Sequence, residues 1–169
     1  SLLKNKQIKH GPEIPLKELE LNEMCTFNFK SNKHKKMYTE FWNKIKNKYK
    51  ISINKDYEFI NWRYNLLPTR NYNIYFTIDR GEIVSVLITR LTKVRGFKVA
   101  IIMDFLTIEY DKNQSRILKH FYKLTQRNKL DFIACLHTSN YESKILKRNG
   151  FYKLPENFLP QKVHFIVRN

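Results

Sequence analysis

The spacing of apolar residues changes along the chain, and each change predicts a different structural element. Residues 24–29 alternate between apolar and polar side chains, which predicts a short strand. Apolar residues recur at helical spacing in residues 37–49 and 57–64, which predicts two helices. Leu67-Pro68 should end the second helix, because proline disfavours a helical conformation of the residue before it. The predicted inward-facing side chains are Cys25, Phe27 and Phe29, then Met37, Phe41, Trp42, Ile45 and Tyr49, then Tyr57, Phe59, Ile60 and Tyr64.

Three strands separated by glycine-containing turns are predicted next. Residues 72–78 alternate in polarity, Asp79-Arg80-Gly81 turns the chain, and residues 83–88 return it,. A second turn follows at Arg95-Gly96. The run over residues 97–108 is apolar at its centre without alternation, which is typical of a central strand that is covered on both faces.

A capping box opens the next predicted helix. Asp111 with Gln114 three residues later allows each side chain to bond a backbone N–H group at the helix start,. Residues 130–136 form an apolar run that we interpret as a buried strand, with Cys135 inside it. The predicted inner face of the helix consists of Ile117, Leu118, Phe121, Tyr122, Leu124 and Thr125.

The last part of the chain predicts one more helix and two strands. Ser139 and Glu142 form a second capping box, and the helix that they open should end at Gly150,. Residues 151–154 and 162–167 are predicted to be strands. The predicted order is therefore β-α-α-β-β-β-α-β-α-β-β.

The length and composition indicate one domain of 169 residues,. Residues 1–22 are rich in lysine and lack periodicity, so we expect an N-terminal arm or linker before a domain that spans residues 23–169. Because the chain begins with Ser1, we expect it to be a piece of a longer protein. It has no apolar run long enough for a transmembrane segment, and two cysteines, Cys25 and Cys135, fit a reducing compartment. We therefore expect a cytoplasmic protein.

The charge of the chain is strongly positive: 32 Lys and Arg against 15 Asp and Glu give a formal net charge of +17. Such a field attracts nucleic acid, anionic lipid, an acidic carrier protein or a phosphorylated cofactor. Lysines on solvated helix faces produce the same composition without any such partner. The charge makes nucleic acid a candidate partner but does not assign one.

Several short motifs resemble the GNAT acyltransferase superfamily. The helix end Asn61-Trp62-Arg63-Tyr64 before Leu67-Pro68, the strand Met103-Asp104-Phe105-Leu106 and the helix end Asn149-Gly150-Phe151 occur in the family order over residues 24–168. They are most similar to a bacterial GNAT-like branch that is linked to cell-envelope glycan modification and often carries two such domains per chain. The resemblance implies an α/β fold with a mixed, mostly antiparallel central sheet and helices on both faces.

The same resemblance implies an N-acyltransferase. Its donor would be acetyl-CoA or another acyl-CoA, and its acceptor a small-molecule or glycan amine such as an amino sugar of a cell-envelope glycan. A preceding GNAT-like domain in the same protein is an implied partner. No metal is expected, because the five His and two Cys residues lack the spacing of a zinc site,.

The resemblance also implies a cofactor site. The pantetheine arm would lie in a gap between the central strand and its parallel neighbour, opposite residues 134–136. The pyrophosphate would bind at the start of the following helix, where the helix dipole favours anions. The cofactor-binding residues implied in this way are Leu106, Thr107, Ile108, Lys112, Asn113, Gln114, Arg116 and Asn140.

The phosphate loop departs from the family pattern. The positions that usually hold Arg or Gln, then Gly, then Gly or Ala are occupied by Asn113, Arg116 and Leu118, and no glycine occurs between Gly96 and Gly150. A Cβ atom at such a position keeps the backbone away from the phosphate. Two hypotheses stay open: basic side chains replace the close backbone contact, or CoA is not bound.

The catalytic groups are also altered. The tyrosine that precedes the helix-ending glycine by four positions in many members is replaced by Leu146. Tyr141 or Tyr152 could take its place, and Tyr152 is the candidate proton donor. Glu109, at the end of the central strand, is the candidate general base. Asp104 lies inside an apolar strand and needs a partner there, for which we expect Arg63.

Two other classes of function stay open beside the acyl-CoA enzyme. The first is a transferase that depends on aminoacyl-tRNA or a carrier protein, which the positive charge would suit. The second is a degenerate, non-catalytic GNAT-like module of a larger protein, which the missing glycines would suit.

Overall fold

The computed structural model describes residues 24–48, 53–67, 70–94, 96–108, 112–135 and 140–152, without the side chains of 112–114 and 140–143. Within these ranges, five strands form one sheet in the order β1-β2-β3-β4-β5. The elements are β1 (Cys25–Thr26), α1 (Asn32–Ile45) with a 3-10 turn (Lys46–Lys48), α2 (Tyr57–Ile60) continued by a π-helical turn (Asn61–Asn65), β2 (Asn73–Asp79), β3 (Glu82–Val94), β4 (Phe97–Thr107), α3 (Lys112–Arg127), β5 (Phe132–Cys135) and α4 (Asn140–Arg148).

The sheet is mixed and mostly antiparallel, which confirms the predicted fold class. Strands β1 to β4 pair antiparallel, and β4 pairs with β5 in parallel. The parallel pair requires a crossover connection, and α3 supplies it,. The predicted element order is confirmed as far as α4; the expected arm and the last two strands lie outside the described residues.

Helices cover both faces of the sheet. On the α1/α2 face, Phe41 and Ile60 pack with Phe76 and the neighbouring strand residues. On the opposite α3/α4 face, Phe121 and Ile145 pack against the other side of the same strands. The amphipathic helices therefore bury their apolar stripes on the sheet, as the periodicity predicted.

The helix faces differ in detail from the prediction. Tyr38 is fully buried although the pattern omitted it, because its hydroxyl group donates a 2.7 Å hydrogen bond to the Lys55 carbonyl. Met37 is only half-buried. Tyr122 was predicted to face inward and is 55% exposed, since it lies at the margin of the α3 stripe beside Phe121.

The strand at the sheet edge is shorter than predicted. Only Cys25 and Thr26 pair with β2, and the Phe27 N–H adds a 2.8 Å hydrogen bond to the Ile74 carbonyl. Met24 and Phe27 are buried, whereas Cys25 is exposed, so the prediction that Cys25 faces inward is wrong. The chain turns away from the sheet directly after Phe27, which ends the alternation.

The end of α4 confirms the predicted glycine stop. Gly150 has φ +84°, and the backbone N–H groups of Gly150 and Phe151 bond the carbonyls of Lys147 and Leu146. This pair of bonds caps the last carbonyls of a helix and requires a left-handed residue. On β5, the prediction that Cys135 is buried is wrong: it is half-buried because β5 is an edge strand of the described sheet.

Candidate active site

A β-bulge interrupts the central strand β4. Ile88 of β3 pairs with Asp104, whereas the next residue, Thr89, pairs with Ile102, so Met103 is an extra residue. A bulge redirects the side chains that follow it. Met103 packs against the cluster on the α1/α2 face, and Asp104 makes its contacts on the same face.

Strand β4 extends past its described pairing with β5. The last described pair joins Ile102 to Cys135, and β4 continues to Thr107. The expected register, with residues 134–136 opposite residues 106–108, is wrong. Strand β5 begins at residue 132, and Ala134 pairs with Ile101.

The three strand residues assigned to the cofactor site have defined contacts. The Leu106 side chain is buried in the core on the α1/α2 face. The Thr107 hydroxyl and the Ile108 N–H both donate to the Val84 carbonyl, at 3.2 Å and 2.9 Å. The Ile108 carbonyl accepts a hydrogen bond from the Lys48 ammonium group. These contacts fix the end of β4 to β3 and to the end of α1.

Asp104 is the centre of a polar cluster beside the bulge. Its Oδ1 accepts hydrogen bonds from Lys55 Nζ at 2.7 Å and from the Phe105 N–H at 3.2 Å. Its Oδ2 accepts a 3.3 Å hydrogen bond from the Tyr64 hydroxyl. The expectation that Arg63 would be the partner is wrong, because the helix turn directs Tyr64 at the sheet and leaves Arg63 partly exposed.

Two aromatic residues of α1 hold the segment that carries Lys55. The Tyr38 hydroxyl donates to the Lys55 carbonyl at 2.7 Å, and Trp42 Nε1 donates to Asn54 Oδ1 at 2.8 Å. Asp56 then caps α2 by accepting from the Phe59 N–H at 2.8 Å,. The segment has no periodicity, so the sequence offered no sign of its role.

The Tyr64 phenol is held in its neutral form. Burial raises the pKa of Tyr64 well above its usual value, and the adjacent Asp104 carboxylate raises it further by charge and by accepting its hydrogen bond,. The charge of Arg63 opposes these effects weakly. Tyr64 therefore donates a hydrogen bond to Asp104 and does not supply a proton near neutral pH.

The raised pKa of Tyr64 predicts a loss of stability at high pH. The unfolded chain releases this proton near the usual tyrosine pKa of about 10, while the folded protein keeps it. Folding therefore binds a proton above about pH 10, and the free energy of unfolding should fall by up to about 1.4 kcal/mol per pH unit from this residue. Urea unfolding of the wild type and of Tyr64→Phe between about pH 9 and 11 measures the difference, and parallel curves would contradict it.

The remaining predicted site residues lie in α3, after α4 or outside the described residues. Helix α3 begins at Lys112, and Arg116 is half-buried in its second turn. Tyr152 follows α4 and is 91% exposed. Glu109 lies outside the described residues, as do the side chains of Asn113, Gln114 and Asn140.

The described residues offer neither a metal-binding cluster nor a membrane-spanning helix. Among them, no group of three His, Cys, Asp or Glu side chains is placed to hold a metal ion. None of the helices in the described ranges is both long and apolar enough to cross a membrane.

Comparison with solved structures identifies the fold. The chain is similar to a probable acetyltransferase, with 13% sequence identity and a TM-score of 0.62 over 86% of this chain and 99% of that chain. An aminoglycoside acetyltransferase from an uncultured soil metagenomic sample, in complex with trehalose, gives 12% identity and a TM-score of 0.57 over 86% and 95%. A GNAT family acetyltransferase from Staphylococcus aureus gives 12% and 0.55 over 82% and 97%.

The other comparisons matched nothing: no protein-family model matches the chain, and no curated protein matches its sequence. The chain therefore has the fold of the GNAT acetyltransferases. At sequence identities of 12% and 13%, this likeness shows the fold alone.

Proposed function

We propose that this chain is an N-acyltransferase that moves an acyl group, acetyl in the simplest case, from acyl-CoA to an amine. The observation that carries the proposal is the bulge at Met103 in the central strand β4. Strand β4 is also the strand that pairs in parallel with β5, from Val99 opposite Phe132 to Ile102 opposite Cys135. A bulge redirects backbone groups, and the solved structures with this fold include acetyltransferases.

The donor side of the site would use β4 and the start of α3. Acyl-CoA supplies a thioester, and the continuation of β4 after Ile102 would hold its pantetheine arm. Helix α3 is 16 residues long and begins four residues after Ile108, so its N-terminal dipole lies near the end of β4,. Without glycines there, the charges of Lys112 and Arg116 would replace a close backbone contact.

The acceptor side would lie on the α1/α2 face, next to Asp104. Lys55 and Tyr64 fix the orientation of its carboxylate, which can accept a hydrogen bond from an amine,. Glu109 would act as the general base and Tyr152 as the proton donor. Glu109→Gln and Tyr152→Phe should each lower kcat more than they change the affinity for acyl-CoA.

The role of Arg116 predicts a selective loss of donor affinity. Arg116→Gln should weaken acetyl-CoA binding at least about tenfold, because one charge-assisted hydrogen bond to phosphate contributes roughly 1.5–3 kcal/mol. Acetylpantetheine lacks the nucleotide phosphates, so its affinity should not change. Isothermal titration calorimetry of both compounds measures the difference.

The matched control is Arg127→Gln, at the far end of the same helix, where the side chain is exposed. It removes the same charge and should leave both affinities unchanged. An equal loss in both variants would mean that only the overall charge matters. Failure of the wild type to bind acetyl-CoA at about millimolar concentration would instead favour a non-catalytic module.

A further inference from the structure

Arg90 is a cation on the α1/α2 face that has no carboxylate partner among the described residues. It lies two positions after Ile88, which packs on that face, and it pairs across the sheet with Ile101,. Its side chain is half-buried, and its Nε atom is buried with no hydrogen-bond partner in the described part of the chain. A buried donor in this state costs free energy unless a ligand or water bonds it.

Tyr72, on the neighbouring strand segment, also carries a buried polar atom without a hydrogen-bond partner among the described residues. Asn73 pairs with Thr89, so Tyr72 lies next to Arg90 across the two strands,. The Tyr72 hydroxyl is also buried, and the described residues give it no hydrogen-bond partner. Its ring packs edge-to-face on Tyr64, with 5.0 Å between the ring centroids.

The two groups are adjacent to the acceptor side of the site. Tyr64 joins Tyr72 to Asp104: its ring packs on the Tyr72 ring, and its hydroxyl donates to the Asp104 carboxylate at 3.3 Å. The bulge at Met103 lies two positions after Ile101, the partner of Arg90, which is a distance of roughly 7 Å along β4,. A guanidinium N–H and a phenol O–H at neighbouring strand positions are suited to the oxygens of a carboxylate or phosphate.

We propose that Arg90 and Tyr72 form a subsite for an anionic group, a carboxylate or a phosphate, on the amine acceptor. The inference rests on the proposed function for the amine end of the acceptor. Because Asp104 already has a cationic partner in Lys55, it does not supply a counter-charge for Arg90, which forms no ion pair among the described residues. The acceptor would therefore be an amine whose anionic group lies roughly 7–10 Å from its nitrogen.

Three probes of equal reach test the subsite without any acyl donor: 5-aminopentanoate, 3-aminopropyl phosphate and 5-aminopentanamide, which lacks the anionic group. Calorimetry should give at least tenfold tighter binding for an anionic probe than for the amide. Tighter binding of the pentanoate identifies a carboxylate, and tighter binding of the phosphate identifies a phosphate. Equal affinity for all three would overturn the proposal, because water would then satisfy the two groups.

The variants Arg90→Gln and Tyr72→Phe should weaken the preferred anionic probe about tenfold and a few-fold, and leave the amide unchanged. Arg127→Gln removes the same charge from the exposed end of α3 and should change neither probe. An equal loss with Arg127→Gln would show a non-specific charge effect and would overturn the subsite.

Thermal unfolding separates a ligand-binding hydroxyl from a structural one. Because the Tyr72 hydroxyl has no hydrogen-bond partner among the described residues, Tyr72→Phe should keep Tm within about 2 °C or raise it,. A fall of several degrees would show a structural bond and contradict the proposal. If the anionic probes bind and acetyl-CoA does not, the proposed function fails and the subsite stands; the reverse result removes the subsite alone.

Discussion

Replacing Asp104 with alanine should lower the free energy of unfolding by about 3 kcal/mol, because it leaves a partly buried ammonium group without its counter-charge. The Asp104 and Lys55 side chains are 12% and 24% exposed, and their ion pair measures 2.7 Å. The Tyr64 hydroxyl loses its acceptor in the same variant. Urea unfolding at pH 7 measures the change.

The control is the exposed ion pair between Lys44 and Glu82. It is as short, at 2.6 Å, but its side chains are 46% and 56% exposed. Glu82→Gln should therefore cost less than about 1 kcal/mol. Asp104→Asn keeps the shape of the side chain and an oxygen for Tyr64, so its cost should lie between the two. Equal losses for Glu82→Gln and Asp104→Ala would contradict the structural role of the cluster.

The second large effect should come from Phe121, where substitution by alanine is expected to cost about 3–5 kcal/mol. Phe121 is 1% exposed, and its ring packs against Tyr75 with 5.9 Å between the ring centroids. It attaches α3, the crossover between the parallel strands, to the sheet. The same urea experiment measures the loss.

The neighbouring residue provides a matched control. Tyr122 is also aromatic and lies in the same helix turn, but it is 55% exposed. Tyr122→Ala should change the free energy of unfolding by less than about 1 kcal/mol. A larger loss for Tyr122→Ala than for Phe121→Ala would mean that the helix presents a different face to the sheet.

Phe121 and Tyr122 also show how precisely the helical period of apolar residues predicts which side chains are buried. The helical period correctly predicted α3 and placed Phe121 inside, but it placed Tyr122 inside as well. Tyr38 was missed for the related reason that a buried tyrosine depends on a distant acceptor for its hydroxyl, here the Lys55 carbonyl,. Periodicity locates a face to within about one residue, and the packing partner decides its margins.

The candidate site was less accessible to sequence interpretation. The bulge at Met103 lies in an apolar run, where no alternation is present to be broken, so the pattern could not reveal it,. Lys55 and Asp104 are 49 positions apart, and the segment around Lys55 has no period. The suggestion of Arg63 as the partner of Asp104 came from the correct helix end but was wrong by one residue.

The sequence by itself determined the element order as far as α4 and the turns at glycine, because these depend on local preferences and on the period of apolar residues. The fold class came from the resemblance of its short motifs to the GNAT superfamily. Tertiary structure alone decided the register of β4 on β5, the polar cluster of Asp104 with Lys55 and Tyr64, and the juxtaposition of Arg90 with Tyr72. These features join residues that are far apart in the chain. Their energies arise from burial and pairing that exist only once the sheet and its covering helices have assembled.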